Sequence, residues 1–286
     1  MNLKFRCSLS VINFKDKVEK VWKLKEWQGI DDKEIDHLLF FGLYTFHDYD
    51  AWWYLPEGIK RSVFWCGSDI LNALGNLEFQ RRLKLYPDAK HYCETEVEAE
   101  NLRKIGIEPQ IIPSFLENED EFPVSYQHSE TPHIWMCAHP ARELEYGVDV
   151  AIRMAKKFPD YTFHIYGIYE WIGEEHPENV IYHGQVPNDQ LNREIRQYQC
   201  GLRCNLHEGL SEIPVKSVLL GQYAITRMKF DWFWNYQTEE ELEKLLVKLK
   251  EMKDFNRKGR KAIRGKLNKF PWLGLKQKIK EAIAGL

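Results

Sequence analysis

The segment CGLRCNLHEGLSEIPVKSVLLGQYAITR, residues 200–227, holds the pattern that decides the fold. Its apolar run at 200–205 predicts a buried strand, the apolar spacing over 211–221 predicts a helix, and 223–227 predicts a second strand. A turn of small and polar residues at 207–211 connects the first strand to the helix. The first turn of a helix offers unpaired backbone N–H groups and the positive end of the helix dipole, so this turn suits an anion.

The same alternation of strand and helix continues along the chain. In the first part, strands are predicted at 3–9, 37–44, 61–66, 89–93 and 109–113, with helices at 14–26, 69–85 and 95–105. In the second part, strands are predicted at 133–138, 161–167, 179–184, 200–205 and 223–227, with helices at 145–157, 187–198 and 211–221. Continuous apolar strands that alternate with helices are typical of parallel sheets covered on both faces.

The alternation is interrupted by the acidic, proline-marked stretch 116–132, which predicts a linker. It separates an N-terminal domain, 1–115, from a second domain, 133–270. The chain from about 238 is interpreted as three helices, and the last, 271–286, carries an apolar stripe at Trp272, Leu275, Ile279 and Ile283. We therefore expect two doubly wound α/β domains, with a ligand cleft at the carboxyl ends of both sheets.

Composition restricts the class of protein. With 44% apolar and 29% charged residues and no long apolar stretch, the chain is typical of a soluble globular protein. The N-terminal residues lack the apolar region of a signal peptide, which predicts a cytoplasmic protein. A net charge of −3 argues against a protein that coats nucleic acid. The six cysteines are scattered, without the spacing of a zinc site, and are expected to be reduced.

The segment after strand 200–205 resembles the donor-binding motif of retaining glycosyltransferases of family 4 and their GT-B relatives. The matching positions are Glu208, Gly209, Leu210, Pro214, Gly221 and the strand 224–226. The resemblance implies that Glu208 lies against the donor sugar, where we predict a catalytic role, and that Gly209, Leu210 and Ser211 bind the donor. His207 is predicted to be catalytic because it adjoins Glu208, although it could instead pair with the backbone at the strand end. A second glutamate of the motif, which holds the ribose, is replaced by Lys216, which is expected to donate to the ribose or a phosphate.

Two further segments carry the resemblance through the second half. The stretch 136–149 resembles the first strand and loop of the nucleotide-binding domain, where the family has an arginine and a lysine for the diphosphate. Arg142 matches the arginine, and Tyr146 stands at the position of the lysine. The stretch 179–191 resembles the segment that contacts the nucleotide base, which implies a base contact for Val186. The aromatic-led helix 271–286 resembles the GT-B helix that crosses back to the first domain.

In the first half, the turn Gly67-Ser68-Asp69 follows a predicted strand. We predict that Gly67 and Ser68 bind the donor and that Asp69 is catalytic, although a helix cap without chemistry explains Asp69 equally well. The pair Asp48 and Asp50 superficially matches the metal motif of the other large glycosyltransferase fold. That fold has no two βαβ arrays, so no metal site is expected there.

These features predict a GT-B glycosyltransferase that transfers a hexose with retention from a UDP- or GDP-type nucleotide sugar, without an essential metal. One alternative is a non-catalytic descendant that binds a nucleotide or a glycan. Another is sugar transfer to modified DNA bases. Basic segments at 14–25 and 257–266 leave lipid-linked and nucleic-acid acceptors and peripheral membrane contact open, although solvated helix faces explain both segments better.

Overall fold

A computed structural model describes residues 2–29, 31–32, 34–173, 177–205 and 209–273. Contacts divide the chain into two compact units. The first consists of residues 1–118, 207–210 and 266–286, and the second of residues 119–206 and 211–265. The first unit therefore contains segments that are distant in sequence.

The first unit contains a six-stranded parallel sheet with strand order β2-β1-β3-β4-β5-β6. The strands are β1 (Leu3–Cys7), β2 (Lys25–Glu26), β3 (His37–Phe41), β4 (Lys60–Phe64), β5 (Lys90–Cys93) and β6 (Gln110–Ile111). The helices are α1 (Lys15–Trp22), α2 (Phe46–Tyr54), α3 (Ser68–Gly75), α4 (Leu77–Lys84) and α5 (Glu96–Arg103), and a 3₁₀ helix spans Leu9–Phe14.

The second unit contains another six-stranded parallel sheet, with strand order β12-β11-β10-β7-β8-β9. The strands are β7 (His133–Cys137), β8 (Thr162–Tyr166), β9 (Val180–Gly184), β10 (Cys200–Arg203), β11 (Tyr223–Thr226) and β12 (Trp234–Asn235). The helices are α6 (Glu143–Tyr146), α7 (Val148–Lys157), α8 (Asn188–Glu194), α9 (Glu212–Leu219), α10 (Glu239–Glu251) and α11 (Arg257–Arg264), with 3₁₀ turns at Glu119–Glu121 and Ile195–Gln197.

All ten predicted strands are present, each shorter than its apolar run. Three helix predictions were wrong in detail. The predicted helix 69–85 is two helices, because the Asn76 side chain accepts hydrogen bonds from the backbone of Glu78 and Phe79 and so starts α4. The predicted helix 14–26 ends at Trp22 and is followed by β2, and 145–157 is broken at Gly147, which has a φ of +73°.

Side chains of successive strand residues point to opposite faces, and both faces of the first sheet are covered. Along β3, Leu38 and Phe40 belong to one core cluster, while Leu39 and Phe41 belong to another. The second cluster also contains Trp22 of α1 and Phe270, whose rings are 4.6 Å apart. Residues 271–273 are helical, and the remainder of the predicted last helix, including Leu275, Ile279 and Ile283, lies outside the described residues.

Helix α1, from the basic amphipathic segment, packs on its sheet. Val18 and Trp22 are buried, and the partly buried Phe14 and Val21 contact the same cluster. This arrangement confirms the interpretation of the segment as a surface helix that packs on its sheet. Within the described residues, no helix is both long and apolar enough to span a bilayer.

Candidate functional site

The strand order of the second sheet defines where a ligand should bind. Strands β7, β8 and β9 run outward in one direction, and β10, β11 and β12 run outward in the other. The connections that follow β7 and β10 therefore leave toward opposite sides, which opens a crevice between the carboxyl ends of these two strands. Open α/β sheets bind ligands at such a switch point. Arg142 follows β7, and the segment that resembles the donor-binding motif follows β10 and leads into α9.

Arg142 lies in the loop after β7, immediately before α6. Its Nε donates to Oε2 of Glu145 at 2.9 Å, and its Nη2 donates to the same oxygen. This hydrogen bond raises the pKa of Arg142 above its ordinary value. The side chain is 54% exposed, and its guanidinium carbon is 5.9 Å from the centroid of the Tyr146 ring. Arg142 is thus an accessible cation near the switch point.

The loop after β7 approaches the end of β10 very closely at Gly147. A Cβ atom at Gly147 would lie 2.3 Å from the Cβ of Cys204, and the residue has a φ of +73°. Glycine is required here both by the backbone conformation and by the space. The close approach sets Tyr146 against Arg203, whose guanidinium carbon is 4.5 Å from the centroid of the Tyr146 ring.

Lys216 is 2% exposed and lies in the second turn of α9. Its Nζ donates to Oδ1 of Asn188 at 3.1 Å and forms an ion pair with Oε2 of Glu212 at 3.3 Å. The same ammonium lies 5.8 Å from the centroid of the Phe122 ring. The lysine that replaces the ribose-binding glutamate of the motif is therefore buried and paired within its own unit.

The turn that precedes α9 is held by side chains. The Ser211 hydroxyl accepts a hydrogen bond from the backbone N–H of Ile213 at 3.4 Å and caps the helix. Leu210 is buried, and its backbone N–H donates to Oε2 of Glu94 at 2.8 Å. A Cβ atom at Gly209 would lie 2.4 Å from the same Glu94 oxygen. Gly209 and Leu210 belong to the first unit by their contacts, and Ser211 belongs to the second.

Val186, the predicted base contact, follows Gly184 at the end of β9 and is half-buried. Two residues later, Asn188 begins α8 and contacts Lys216. The structure thus brings the predicted base-binding loop together with α9. Whether Val186 contacts a base stays a prediction.

A buried group of carboxyls lies at the carboxyl end of the first sheet. Glu94 follows β5 and also accepts a hydrogen bond from the Ser114 hydroxyl. Fully buried Glu98 accepts from the backbone N–H groups of Glu94 and Thr95, at 2.8 and 3.0 Å. Its other oxygen, Oε1, has no hydrogen-bond partner among the described residues. Burial and the charge of Glu94 raise the pKa of Glu98 well above its ordinary value.

Asp69 is fully buried in the first turn of α3. Its carboxylate accepts backbone hydrogen bonds from Leu43 at 3.2 Å and from Cys66 at 3.0 Å, which link the ends of β3 and β4. Burial raises the pKa of Asp69 to about 7. Gly67 precedes α3 with a φ of +100°, and Ser68 is exposed. The catalytic role of Asp69 and the donor contacts of Gly67 and Ser68 stay predictions.

Two further residues of the predicted site, Glu208 and His207, lie outside the described residues. Their catalytic assignment therefore stays a prediction. Asp48 forms an ion pair with Arg6 at 2.6 Å, and Asp50 is paired with Arg82. Among the residues that the structure describes, no group of three or more histidine, cysteine or acidic side chains could hold a metal ion.

Arg203, the last residue of β10, was not predicted as a site residue, because the run 200–205 predicts only a buried strand. Arginine is rarely buried without a specific partner, so an arginine inside an apolar run was the available signal. Glu94 is not among the predicted site residues, and its hydrogen bond to Leu210 spans 116 positions of sequence. No local pattern encodes a contact of that length.

No family model and no curated protein sequence matches the chain. Solved structures do match. Sucrose-phosphate synthase from Thermosynechococcus elongatus has 11% identity and a TM-score of 0.61, covering 96% of this chain and 78% of the synthase. HepE from Anabaena, in complex with UDP-glucose, has 12% identity and a TM-score of 0.57, covering 88% of this chain and 79% of HepE.

A third match is the pneumococcal O-GlcNAc transferase GtfA, in complex with UDP and GlcNAc. It has 13% identity and a TM-score of 0.53, and the match covers 87% of this chain. The chain spans only 57% of the length of GtfA. Together with the two parallel sheets, these matches show that the chain has the GT-B fold, as the sequence predicted.

Proposed function

We propose that this protein is a glycosyltransferase that transfers a sugar from a nucleotide-sugar donor to an acceptor. The observation that carries the proposal is the conjunction, at the switch point of the second sheet, of Arg142 after β7 and the Ser211-capped start of α9 after β10. A guanidinium and a helix N-terminus are both favourable partners for a diphosphate. The GT-B fold and the UDP and UDP-glucose bound in GtfA and HepE support a nucleotide sugar as the ligand.

In this proposal the donor diphosphate binds at the switch point, and its departure is stabilised by Arg142 and the N-terminal turn of α9. Lys216 adds positive charge beneath that turn from within the helix. Val186 lines the base pocket. The other residues proposed to bind the donor are Gly67, Ser68, Gly209, Leu210 and Ser211. The residues proposed to be catalytic are Glu208, His207 and Asp69.

We further propose that the reaction transfers a hexose with retention and does not require a metal ion. Its rate would then depend on positioning the donor and on electrostatic stabilisation of the leaving diphosphate. A buried diphosphate requires cations, and we propose that Arg142 and Lys216 supply them. UDP is the favoured nucleotide because UDP accompanies GtfA and UDP-glucose accompanies HepE.

The proposal is tested by incubating the protein with UDP- and GDP-sugars and following release of the nucleoside diphosphate. We expect slow hydrolysis of at least one donor, and its loss in Arg142→Ala. The control is Arg193→Ala, since Arg193 is an exposed residue of α8 that forms an ion pair with Asp189. Full activity in Arg142→Ala would contradict the assignment of this site.

A specific observation favours one alternative, a non-catalytic descendant that binds a nucleotide or a glycan. Tyr146 supplies no charge where the resembling family has a lysine, and the ammonium of Lys216 is already paired with Glu212. In that case a nucleotide sugar would bind and shift the melting temperature, but none would be hydrolysed or transferred. The release assay above separates the two functions.

A further inference from the structure

Arg203 is placed directly at the switch point of the second sheet. It is the last residue of β10, and the register that pairs Cys200 with Ile134 sets it level with Cys137 at the end of β7. Its Nη1 donates to the Cys137 carbonyl oxygen at 3.3 Å. The side chain is thus held across the gap between the two strands whose connections diverge.

The position of the guanidinium is fixed by its neighbours. The ring of Tyr146 lies 4.5 Å from its central carbon, and Tyr146 itself is held by the close approach of Gly147 to Cys204. Arg203 is 5% exposed. A guanidinium remains charged in proteins and presents a planar fork of N–H donors that matches phosphate oxygens.

Arg203, Arg142 and Lys216 bring positive charge to this edge of the sheet, where Arg142 is paired with Glu145 and Lys216 with Glu212. Burial raises the pKa of the Cys137 thiol to about 11, and the charges of Arg203 and Lys216 act on it in the opposite direction. The charge of Arg203 also lowers the pKa of Arg142, against the larger increase that the hydrogen bond to Glu145 causes. The start of α9 adds the positive end of a helix dipole close in sequence to Arg203. A guanidinium beside the start of a helix suits an anion such as a diphosphate.

We propose that Arg203 binds the diphosphate of the donor and supplies, from β10, the second cation that Tyr146 does not provide. Arg142 approaches the same diphosphate from the loop after β7. Tyr146 would then orient the guanidinium of Arg203 through its aromatic ring, whereas the lysine of the resembling family would bind the diphosphate directly. This inference rests on the proposed function and specifies which residues hold the diphosphate.

The test is calorimetric binding of UDP, GDP and the nucleosides uridine and guanosine to the full chain and to Arg203→Gln. We expect wild-type protein to bind UDP or GDP, and Arg203→Gln to bind that diphosphate about 10- to 100-fold more weakly, since hydrogen bonds to charged groups are worth about 1.5–3 kcal/mol. Nucleoside affinity should not change. A Tyr146→Lys change in the same variant should recover part of the lost diphosphate affinity.

The matched control is Arg61→Gln in the first unit. Arg61 is 9% exposed, stacks 3.8 Å from the centroid of the Tyr86 ring and donates to backbone carbonyls, as Arg203 does. It should lose stability without losing diphosphate affinity. The conservative variant Arg203→Lys keeps the charge and guards against a failure of Arg203→Gln to fold. We expect it to bind the diphosphate several-fold more weakly, because a single ammonium replaces the fork.

Three outcomes would overturn the inference. Diphosphate affinity equal to wild type in folded Arg203→Gln would exclude the contact, and equal affinity in Arg203→Lys would exclude a contact made through the guanidinium fork. Equal losses for the diphosphate and the nucleoside would show a structural effect on the whole site. Failure of wild-type protein to bind UDP or GDP at all would instead remove the proposed function, on which this inference depends.

Discussion

The carboxylate of Glu94 lies 2.8 Å from the backbone nitrogen of Leu210 and accepts its hydrogen bond. The second carboxylate oxygen of Glu94 accepts from the Ser114 hydroxyl. A single side chain at the end of β5 therefore holds the turn at 209–210, which the sequence resemblance assigns to the donor.

The first prediction concerns this contact. Glu94→Ala leaves the buried Leu210 N–H and Ser114 hydroxyl without their acceptor, which should lower the free energy of unfolding by about 1–3 kcal/mol. Glu94→Gln keeps an oxygen acceptor and should recover most of the loss. Denaturant unfolding followed by tryptophan fluorescence measures both variants. A Glu94→Ala protein as stable as wild type would show that the contact contributes nothing.

The second prediction concerns fully buried Glu98, whose pKa burial raises well above its ordinary value. Below about pH 4.5, folded and unfolded chains both hold this proton. As the pH rises, the unfolded chain releases the proton while the folded chain keeps it, so wild-type stability falls. Glu98→Gln should therefore be more stable than wild type at pH 8, with a gain that shrinks toward pH 4.5.

Exposed Glu96, two positions away, provides the control for this experiment. Glu96→Gln should show only a small difference from wild type at either pH. A stability difference for Glu98→Gln that is the same at pH 4.5 and pH 8 would mean that Glu98 is not protonated in the folded protein.

The third prediction has the opposite sign and concerns a histidine chain across β7, β8 and β9. His164 contacts His133 at 2.8 Å and His183 at 2.9 Å, and burial lowers its pKa to about 3. The unfolded chain binds this proton near pH 6.5, so the stability contribution is present above that pH and is lost as the pH falls toward 3.

His164→Phe should therefore reduce the slope of the free energy of unfolding against pH between pH 6.5 and 4. The reduction should be at most about 1.4 kcal/mol per pH unit, which corresponds to one bound proton. The dependence will not vanish, because burial also lowers the pKa values of His37 and His91, each to about 4. Denaturant titrations at several pH values give the slope. An unchanged slope in His164→Phe would contradict the neutral buried state of His164.

The fourth prediction concerns Gly147. Gly147→Ala places a Cβ atom 2.3 Å from the Cβ of Cys204 in a left-handed backbone conformation, so we expect a loss of more than about 1 kcal/mol. Nucleotide affinity should fall as well, because Tyr146 and Arg142 adjoin this glycine. Gly75→Ala is the control, since no heavy atom lies within 4 Å of its added Cβ. Equal stability of the two variants would show that the loop after β7 tolerates displacement.

Much of the fold was predictable because it depends on local patterns. Apolar runs located all ten predicted strands, and the restart of the alternation after 116–132 indicated a second sheet. The break at Gly147 was not predictable, because it arises from a close approach to Cys204, 57 positions later. The break at Asn76 had a signal, since asparagine is a favoured helix cap, but the apolar spacing on either side concealed it.

The candidate site was predictable only where its residues follow strands in recognisable motifs. Arg142 and Ser211 are of this kind, and the strand order places their loops at one switch point. The ion pair of Lys216 with Glu212 was predictable, because residues four apart in a helix are neighbours on its surface. The motif considers Lys216 alone and gives no indication of this pair. Arg203 was missed because a strand pattern describes burial and does not indicate that an arginine within it lies at the switch point.

The most direct test of the central claim is a thermal-shift titration of the full chain with UDP-sugars, GDP-sugars, UDP and GDP. A ligand that binds only the folded state raises the melting temperature, with about 2.7 kcal/mol of stabilisation at 100 times its Kd. We predict a concentration-dependent rise with at least one nucleotide sugar, and a much smaller rise in Arg142→Ala. No shift of wild-type protein with any of these ligands at millimolar concentration would contradict the proposal of a nucleotide-sugar-dependent transferase.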